Sequence, residues 1–178
     1  MKQKLFFTLI ISIFISACTT VQFETSVPKE TALLPEFPID LLGTYTNKDK
    51  DTLKITKSGF SFGGKESTLL QIKESLKPNK TELKRIANYY ILNLREDVIW
   101  DVIPFTYIKD ELSIYYIGYE DQDEKEVIEK IKQHVQVTEI KNKEGETTKY
   151  MVDPTNEELA KMLEENVFIK ISVFKKIK

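Results

Sequence analysis

The chain has 178 residues, a formal net charge of −2 and a single cysteine, Cys18. This charge balance argues against nucleic acid as a partner, because nucleic-acid binding needs a basic surface that neutralises phosphates. One cysteine excludes a disulfide framework within the chain, and one histidine, His134, excludes a metal site with several imidazole ligands. The length suits one domain with a sizeable apolar core.

The first predicted element is a secretory signal peptide. Two lysines precede an apolar run, residues 5–15, and the small residues Ser16 and Ala17 stand directly before Cys18. The apolar run is too short for a transmembrane helix, which needs about 20 residues. An ordinary signal peptide would leave an unpaired, oxidisable thiol at the start of a secreted chain, which is unusual.

Residues 15–18, Ile-Ser-Ala-Cys, resemble the lipobox of bacterial lipoproteins. The resemblance implies a signal peptide of residues 1–17, cleavage between Ala17 and Cys18, and acylation of the Cys18 thiol by a fatty acid such as palmitate. Acyl chains would then hold the protein to a membrane, each buried methylene contributing about 0.8 kcal/mol. The mature chain keeps 24 of the 26 basic side chains against 28 acidic ones, so its charge does not favour adhesion to anionic lipid.

The residues that follow the cysteine bear on location. Residues 19–22, Thr-Thr-Val-Gln, lack the aspartate typical of inner-membrane retention and the acidic cluster of the Bacteroidota surface-export signal. The triplet at 51–53, Asp-Thr-Leu, resembles the O-glycosylation sequon of Bacteroidota envelope proteins. These resemblances imply a cell-envelope lipoprotein in the outer membrane that faces the periplasm.

Residues 18–40 are predicted to form the lipidated N-terminus and a proline-containing tether. Pro28, Pro35 and Pro38 favour extended backbone, and about twenty extended residues would reach at most ~70 Å. Apolar residues such as Phe37 predict that the second half of the tether docks on the domain.

Residues 41–178 are predicted to form a single β-rich globular domain. Period-two alternation predicts a hairpin over 41–57, a short strand at 59–62 and an antiparallel meander whose strands cover 88–94, 99–108 and 112–119. The fold class is therefore mainly β (α+β).

Helical periodicity is confined to a few stretches. Residues 123–133 and 155–165 are predicted helices, the second beginning with a capping box of Thr155 and Glu158. A second hairpin is predicted between the helices and a last strand at 168–173. Residues 69–86 fit a helical stripe and short strands almost equally, so two or three peripheral helices are expected.

The start of the domain, with Gly43 and Tyr45 in a Gly-x-Tyr pattern before the meander, is similar to lipocalin-like (calycin) barrels. The resemblance implies a barrel with a central cavity for an apolar ligand. The meander is also rich in aromatic residues. They are either ligand-facing or simply packed across neighbouring strands, and the candidates for the ligand-facing set are Tyr89, Trp100, Tyr107 and Tyr116.

Three features resemble parts of known catalytic or metal-binding sites, but each lacks residues that the site would need. Residues 59–65 have the glycine and lysine spacing of a phosphate-binding loop, but Glu66 replaces the Ser or Thr that binds magnesium. The acidic run at 120–126 lacks the glycine and the final glutamate of a calcium loop. His134 has no partner at metal-ligand or triad spacing. We therefore predict no catalytic residue, no metal and no cofactor.

Together these observations predict a lipid-anchored envelope protein with a non-catalytic binding domain, for either a protein partner or a small apolar ligand. One alternative is an immunity or inhibitor lipoprotein that uses an acidic surface against a basic toxin or enzyme. An envelope hydrolase is a second alternative, which the scarcity of histidine and cysteine disfavours.

Overall fold

The structure, a computed structural model, describes residues 20–63, 71–117 and 123–177. The predicted signal peptide, its cleavage position at Ala17 and the predicted acylation site Cys18 lie outside these ranges. So do Glu66 and the first three residues of the acidic run at 120–126.

Within the described residues there are twelve strands and two α-helices, which confirms the prediction of a mainly β fold. The strands are β1 (Thr20–Phe23), β2 (Gly43–Thr46), β3 (Thr52–Thr56), β4 (Gly59–Gly63), β5 (Gln71–Ser75), β6 (Thr81–Ile86), β7 (Tyr89–Glu96), β8 (Ile99–Ile108), β9 (Glu111–Tyr116), β10 (Val137–Lys141), β11 (Thr147–Val152) and β12 (Ile169–Lys176). The helices are α1 (Glu124–Lys132) and α2 (Asn156–Glu164), and a short 3-10 helix covers Ile39–Leu41. The ambiguous stretch 69–86 forms the short strands β5 and β6.

The strands pair in the order β10-β11-β1-β8-β9-β12-β2-β3-β4-β5, and β7 joins β6 to the other edge of β8. The predicted meander is present as β7-β8-β9, and the parallel pair β1–β11 is the exception among antiparallel neighbours. Among the described strands the end members β10 and β5 do not pair with each other, so the sheet is open. The closed barrel that the lipocalin resemblance implies is therefore not formed. In a barrel the strands pair in a closed ring, each with one neighbour on either side. Here one edge of β8 pairs with two different strands, with β1 at Trp100 and with β9 from Phe105 onward.

The segment predicted as a tether lies along the domain from Thr20 onward. Its first residues form β1 inside the sheet. Further along, the Leu34 N–H donates to the Leu83 carbonyl oxygen at 2.8 Å, and the Phe37 N–H donates to the Lys57 carbonyl oxygen at 2.8 Å.

Two apolar cores lie on opposite faces of the central strands. The alternation along β8 sends Trp100 and Val102 to one face and Phe105 to the other. Both helices pack on the first face, where α1 contributes Val127, Ile128 and Ile131. Strands β2 to β4, β7 to β9 and β12 curl around the second core. The predicted capping box of Thr155 and Glu158 is present at the start of α2.

Candidate functional site

The second core is incompletely filled and contains an apolar cavity of about 380 Å³. The residues that line it come from seven strands and from the segment before β2. They are Phe37, Leu53, Ile55, Phe60, Phe62, Ile72, Leu92, Leu94, Ile103, Phe105, Leu112, Ile114, Tyr116 and Ile171.

One wall of the cavity is a three-stranded layer made by β3, β4 and β5. Leu53 lies opposite Phe62 in the β3–β4 register, and Phe62 lies opposite Ile72 in the β4–β5 register. Directly opposed residues share a face of a sheet, so the alternation of each strand turns these side chains inward together. Gly59 permits the close approach of β5, because a Cβ atom there would lie 2.2 Å from the Glu74 carbonyl oxygen.

The facing wall is formed by β7, β8, β9 and β12. Leu92 lies opposite Ile103, and Phe105 lies opposite Ile114, so these pairs form successive layers of the wall. On β12 the register shifts between Lys170 and Ser172, and the residue between them, Ile171, lines the cavity. Such a bulge re-aims a side chain relative to the regular alternation.

The cavity has a packed floor and an open mouth. Leu53, Phe105 and Phe37 are among the buried lining residues, and the Phe37 ring meets the Phe60 ring edge-on with centroids 6.5 Å apart. At the mouth the Ile72 side chain is 49% exposed, and Ile103 is half-buried. Phe37 belongs to the segment predicted to dock on the domain, and in the structure it closes the floor.

The chemistry of this site is apolar. Among the described lining residues, the Tyr116 hydroxyl is the one polar side-chain group. Such a lining recognises shape and apolar surface, and burial of ligand surface would contribute about 25 cal/mol per Å². Acid–base or nucleophilic chemistry would need titratable groups within reach of a ligand.

Of the four aromatic residues predicted to face a ligand, Tyr116 lines the cavity. Tyr107 lies in the same core but outside the lining. Its ring meets the Tyr45 ring edge-on with centroids 6.3 Å apart, and its hydroxyl donates to the Asp110 carboxylate at 2.8 Å. Burial raises the pKa of Tyr45, and the neighbouring Tyr107 adds to the increase.

The other two aromatic candidates belong to the helix-covered core. Tyr89 packs edge-on against Tyr115 with ring centroids 5.5 Å apart, and burial raises the pKa of the Tyr89 hydroxyl. Trp100 is buried, and the Arg95 guanidinium lies 5.7 Å from the centre of its ring. Tyr89 and Trp100 therefore pack in or against the core beneath the helices and do not face the cavity.

The sequence alone does not mark the other apolar residues of the cavity as a site. Their signal, alternation such as Leu53 with Ile55 and Phe60 with Phe62, is the same signal that marks any buried face of a strand. The alternation therefore predicts that these side chains point inward. It does not predict whether they fill the core or leave a cavity between them.

A buried polar network lies beside the first, helix-covered core and fastens the N-terminal segment. The Lys84 ammonium nitrogen lies 3.8 Å from a carboxylate oxygen of Glu82, and both side chains are only 8% exposed. The same ammonium group donates to the carbonyl oxygens of Ser26 at 3.0 Å and Pro28 at 3.1 Å. Burial lowers the pKa of Lys84. These hydrogen bonds hold the N-terminal segment against β6.

The His134 side chain is buried two residues after the end of α1, and its Nε2 atom lies 3.6 Å from a carboxylate oxygen of Glu165. In the part of the chain that the structure describes, no three metal-ligating side chains stand close enough to hold an ion. Within that same part, none of the helices has the length and apolar character needed to span a bilayer.

Comparison of the chain with protein families, with curated proteins and with solved structures found no match.

Proposed function

We propose that this chain is a lipid-anchored cell-envelope protein whose β-rich domain binds an apolar ligand, such as a single acyl chain, in the cavity of its second core. The domain would hold the ligand without transforming it. The observation that carries this proposal is the cavity itself, which is lined by apolar side chains and open at the end where Ile72 is exposed.

The size and lining of the cavity support a small apolar ligand. Ligand pockets in proteins typically measure about 300–1,000 Å³, and this one measures about 380 Å³. The cavity is open on one side, and the Ile72 side chain there is exposed to water. An acyl chain that covered this apolar lining would gain about 0.8 kcal/mol for each methylene removed from water.

The lipobox resemblance at residues 15–18 supports the anchoring part of the proposal, with the outer membrane and its periplasmic side as the proposed location. The test is replacement of the acylated residue. We expect Cys18→Ser to leave an unprocessed precursor without acyl label in cells fed a labelled fatty acid, whereas a processed and labelled variant would contradict anchoring at this residue.

Ligand binding is tested with a chain that begins at Thr19, which keeps every described strand and both cores. A fatty acid with conjugated double bonds, whose fluorescence rises in apolar sites, serves as the probe. We expect Ile103→Trp to fill the cavity and weaken binding at least tenfold. The matched control is Ile108→Trp on the same strand, because Ile108 is 65% exposed and outside the cavity.

Equal binding by the two variants would contradict the cavity as the ligand site. If the wild-type chain bound no fatty acid and an envelope protein co-purified with it instead, the partner-binding alternative would replace this proposal.

A further inference from the structure

The first described strand begins very close to the predicted acylation site. β1 begins at Thr20, where it already pairs with β11, and only one residue separates Thr20 from Cys18. Two residues of extended chain span at most ~7 Å. If Cys18 carries the acyl chains, as the proposed function requires, no long linker separates the domain from the membrane. The end of the domain at which β1 begins must then lie at the membrane surface.

The neighbour of β1 shows which part of the domain lies at that end. β1 and β11 are parallel, with Thr20 opposite Lys149 and Phe23 opposite Val152. The two residues of β11 before Lys149, and the turn that connects β10 to β11, therefore extend past Thr20 on the side away from Phe23. This β10–β11 turn, residues 142–146, lies on the order of 10 Å beyond Thr20 at 3.3 Å per residue.

The hairpin is held firmly in this position. The turn is closed by a hydrogen bond from the Asn142 N–H to the Glu146 carbonyl oxygen, at 2.9 Å, and the Asn142 side-chain oxygen accepts from the Glu144 and Glu146 N–H groups. On the helix side, the Tyr150 hydroxyl donates to Glu124 at 3.1 Å. These contacts attach the hairpin to both β1 and α1 and hold its turn at the same end of the domain as Thr20.

We propose that the β10–β11 turn forms part of the membrane-contacting surface of this protein and that it lies in the phospholipid headgroup layer. The chemistry of the turn fits zwitterionic headgroups, which carry a phosphate and an ammonium group. Its exposed side chains include Lys141 and Lys143 beside Glu144 and Glu146, so both signs of charge are available at one tip. The acyl chains supply the affinity, and the turn sets the orientation of the domain.

Fluorescence quenching at two turns tests the orientation. The full chain is produced in cells that process it, and the variants Lys143→Cys and Val98→Cys, each with one added cysteine, are labelled with an environment-sensitive dye. An acylated Cys18 does not react with the dye, since its sulfur is no longer a free thiol. Val98 is the matched position, because it is 77% exposed in the β7–β8 turn, beyond the Phe23 end of β1.

The labelled proteins are reconstituted into vesicles of phosphatidylcholine and phosphatidylethanolamine that contain a nitroxide lipid labelled near the headgroup. We expect at least about threefold more quenching at residue 143 than at residue 98, since the two lie about 25 Å apart along the strand direction. Equal quenching, or stronger quenching at 98, would overturn the proposal. Circular dichroism confirms that both variants are folded.

A linker insertion tests the role of the short connection. About ten Gly/Ser residues placed between Thr19 and Thr20 would allow a separation of roughly 17 Å. Quenching at residue 143 should then fall toward the value at 98, and an unchanged value would overturn the proposal.

The mass of each purified protein shows whether a negative result concerns the anchoring or the orientation. A chain without acyl groups would refute the anchoring on which this inference rests. An acylated chain with equal quenching would refute the orientation alone.

Discussion

The side chain of Asn93 hydrogen-bonds both backbone groups of Val27, a residue 66 positions earlier in the chain. Its amide nitrogen donates to the Val27 carbonyl oxygen at 2.8 Å, and its oxygen accepts from the Val27 N–H at 2.9 Å. Both residues are completely buried. A strand residue therefore satisfies backbone groups of the N-terminal segment that the fold would otherwise leave without partners.

Replacement of this amide should be costly. We expect Asn93→Leu to lower the free energy of unfolding by roughly 2–4 kcal/mol, because a buried donor and a buried acceptor of Val27 would both lose their partner. Urea denaturation measures the difference. Asn88→Ala, in the exposed β6–β7 turn, is the control and should change stability by less than about 0.5 kcal/mol. Comparable losses in the two variants would argue against this role of Asn93.

The close contact between β4 and β5 predicts an intolerant glycine. A Cβ at Gly59 would lie 2.2 Å from the Glu74 carbonyl oxygen and 2.9 Å from the Ser75 Cα, so β5 must shift in Gly59→Ala. We expect a loss of roughly 1–3 kcal/mol by thermal denaturation. Fatty-acid binding should also weaken, because β5 carries Ile72 at the mouth of the cavity. Ser61→Ala, on the outer face of the same strand, should leave both measurements nearly unchanged.

The cavity floor predicts a large effect for Phe37. Phe37→Ala should destabilise the domain by about 3–5 kcal/mol, the range for truncation of a buried aromatic residue. Its control is Leu33→Ala in the same segment, where the side chain is 36% exposed and a much smaller loss is expected. If the two losses measured by urea denaturation were alike, Phe37 would not be part of the core.

The contact between the N-terminal segment and residue 153 predicts a dependence of stability on pH. Burial acts to raise the pKa of Asp153, but hydrogen bonds from Lys29 and Thr25 prevail and hold it below its ordinary value of 3.8. A carboxyl group whose pKa is lowered by folding stabilises the fold above its unfolded pKa and loses that contribution as the pH falls through the folded value.

We therefore expect Asp153→Asn to lower the free energy of unfolding by at most about 1 kcal/mol at neutral pH, since the pair is partly exposed and screened by solvent. The difference from wild type should shrink as the pH falls below 3.8. Denaturation at a series of pH values measures it, and a difference that grows in acid would contradict the assigned ion pair.

The sequence by itself determined the local structure. Strands β7, β8 and β9 follow from period-two alternation between polar turns, and α2 begins at its Thr155–Glu158 capping box, because these signals act between residues a few positions apart. It also determined the number of cysteines and histidines, and hence the kinds of site that the chain cannot form.

Only the tertiary structure decided how these elements meet. The pairing of Thr20 with Lys149 joins residues far apart in the chain, and it turns an expected tether into a strand. Likewise, the alternation in the sequence predicts that Leu92 and Ile103 point inward, but it does not distinguish a filled core from a cavity. A cavity forms here because the sheet curves, because β12 has a bulge at Ile171, and because one edge of β8 is shared by two strands. These features depend on contacts between distant residues, which the local alternation of the sequence does not contain.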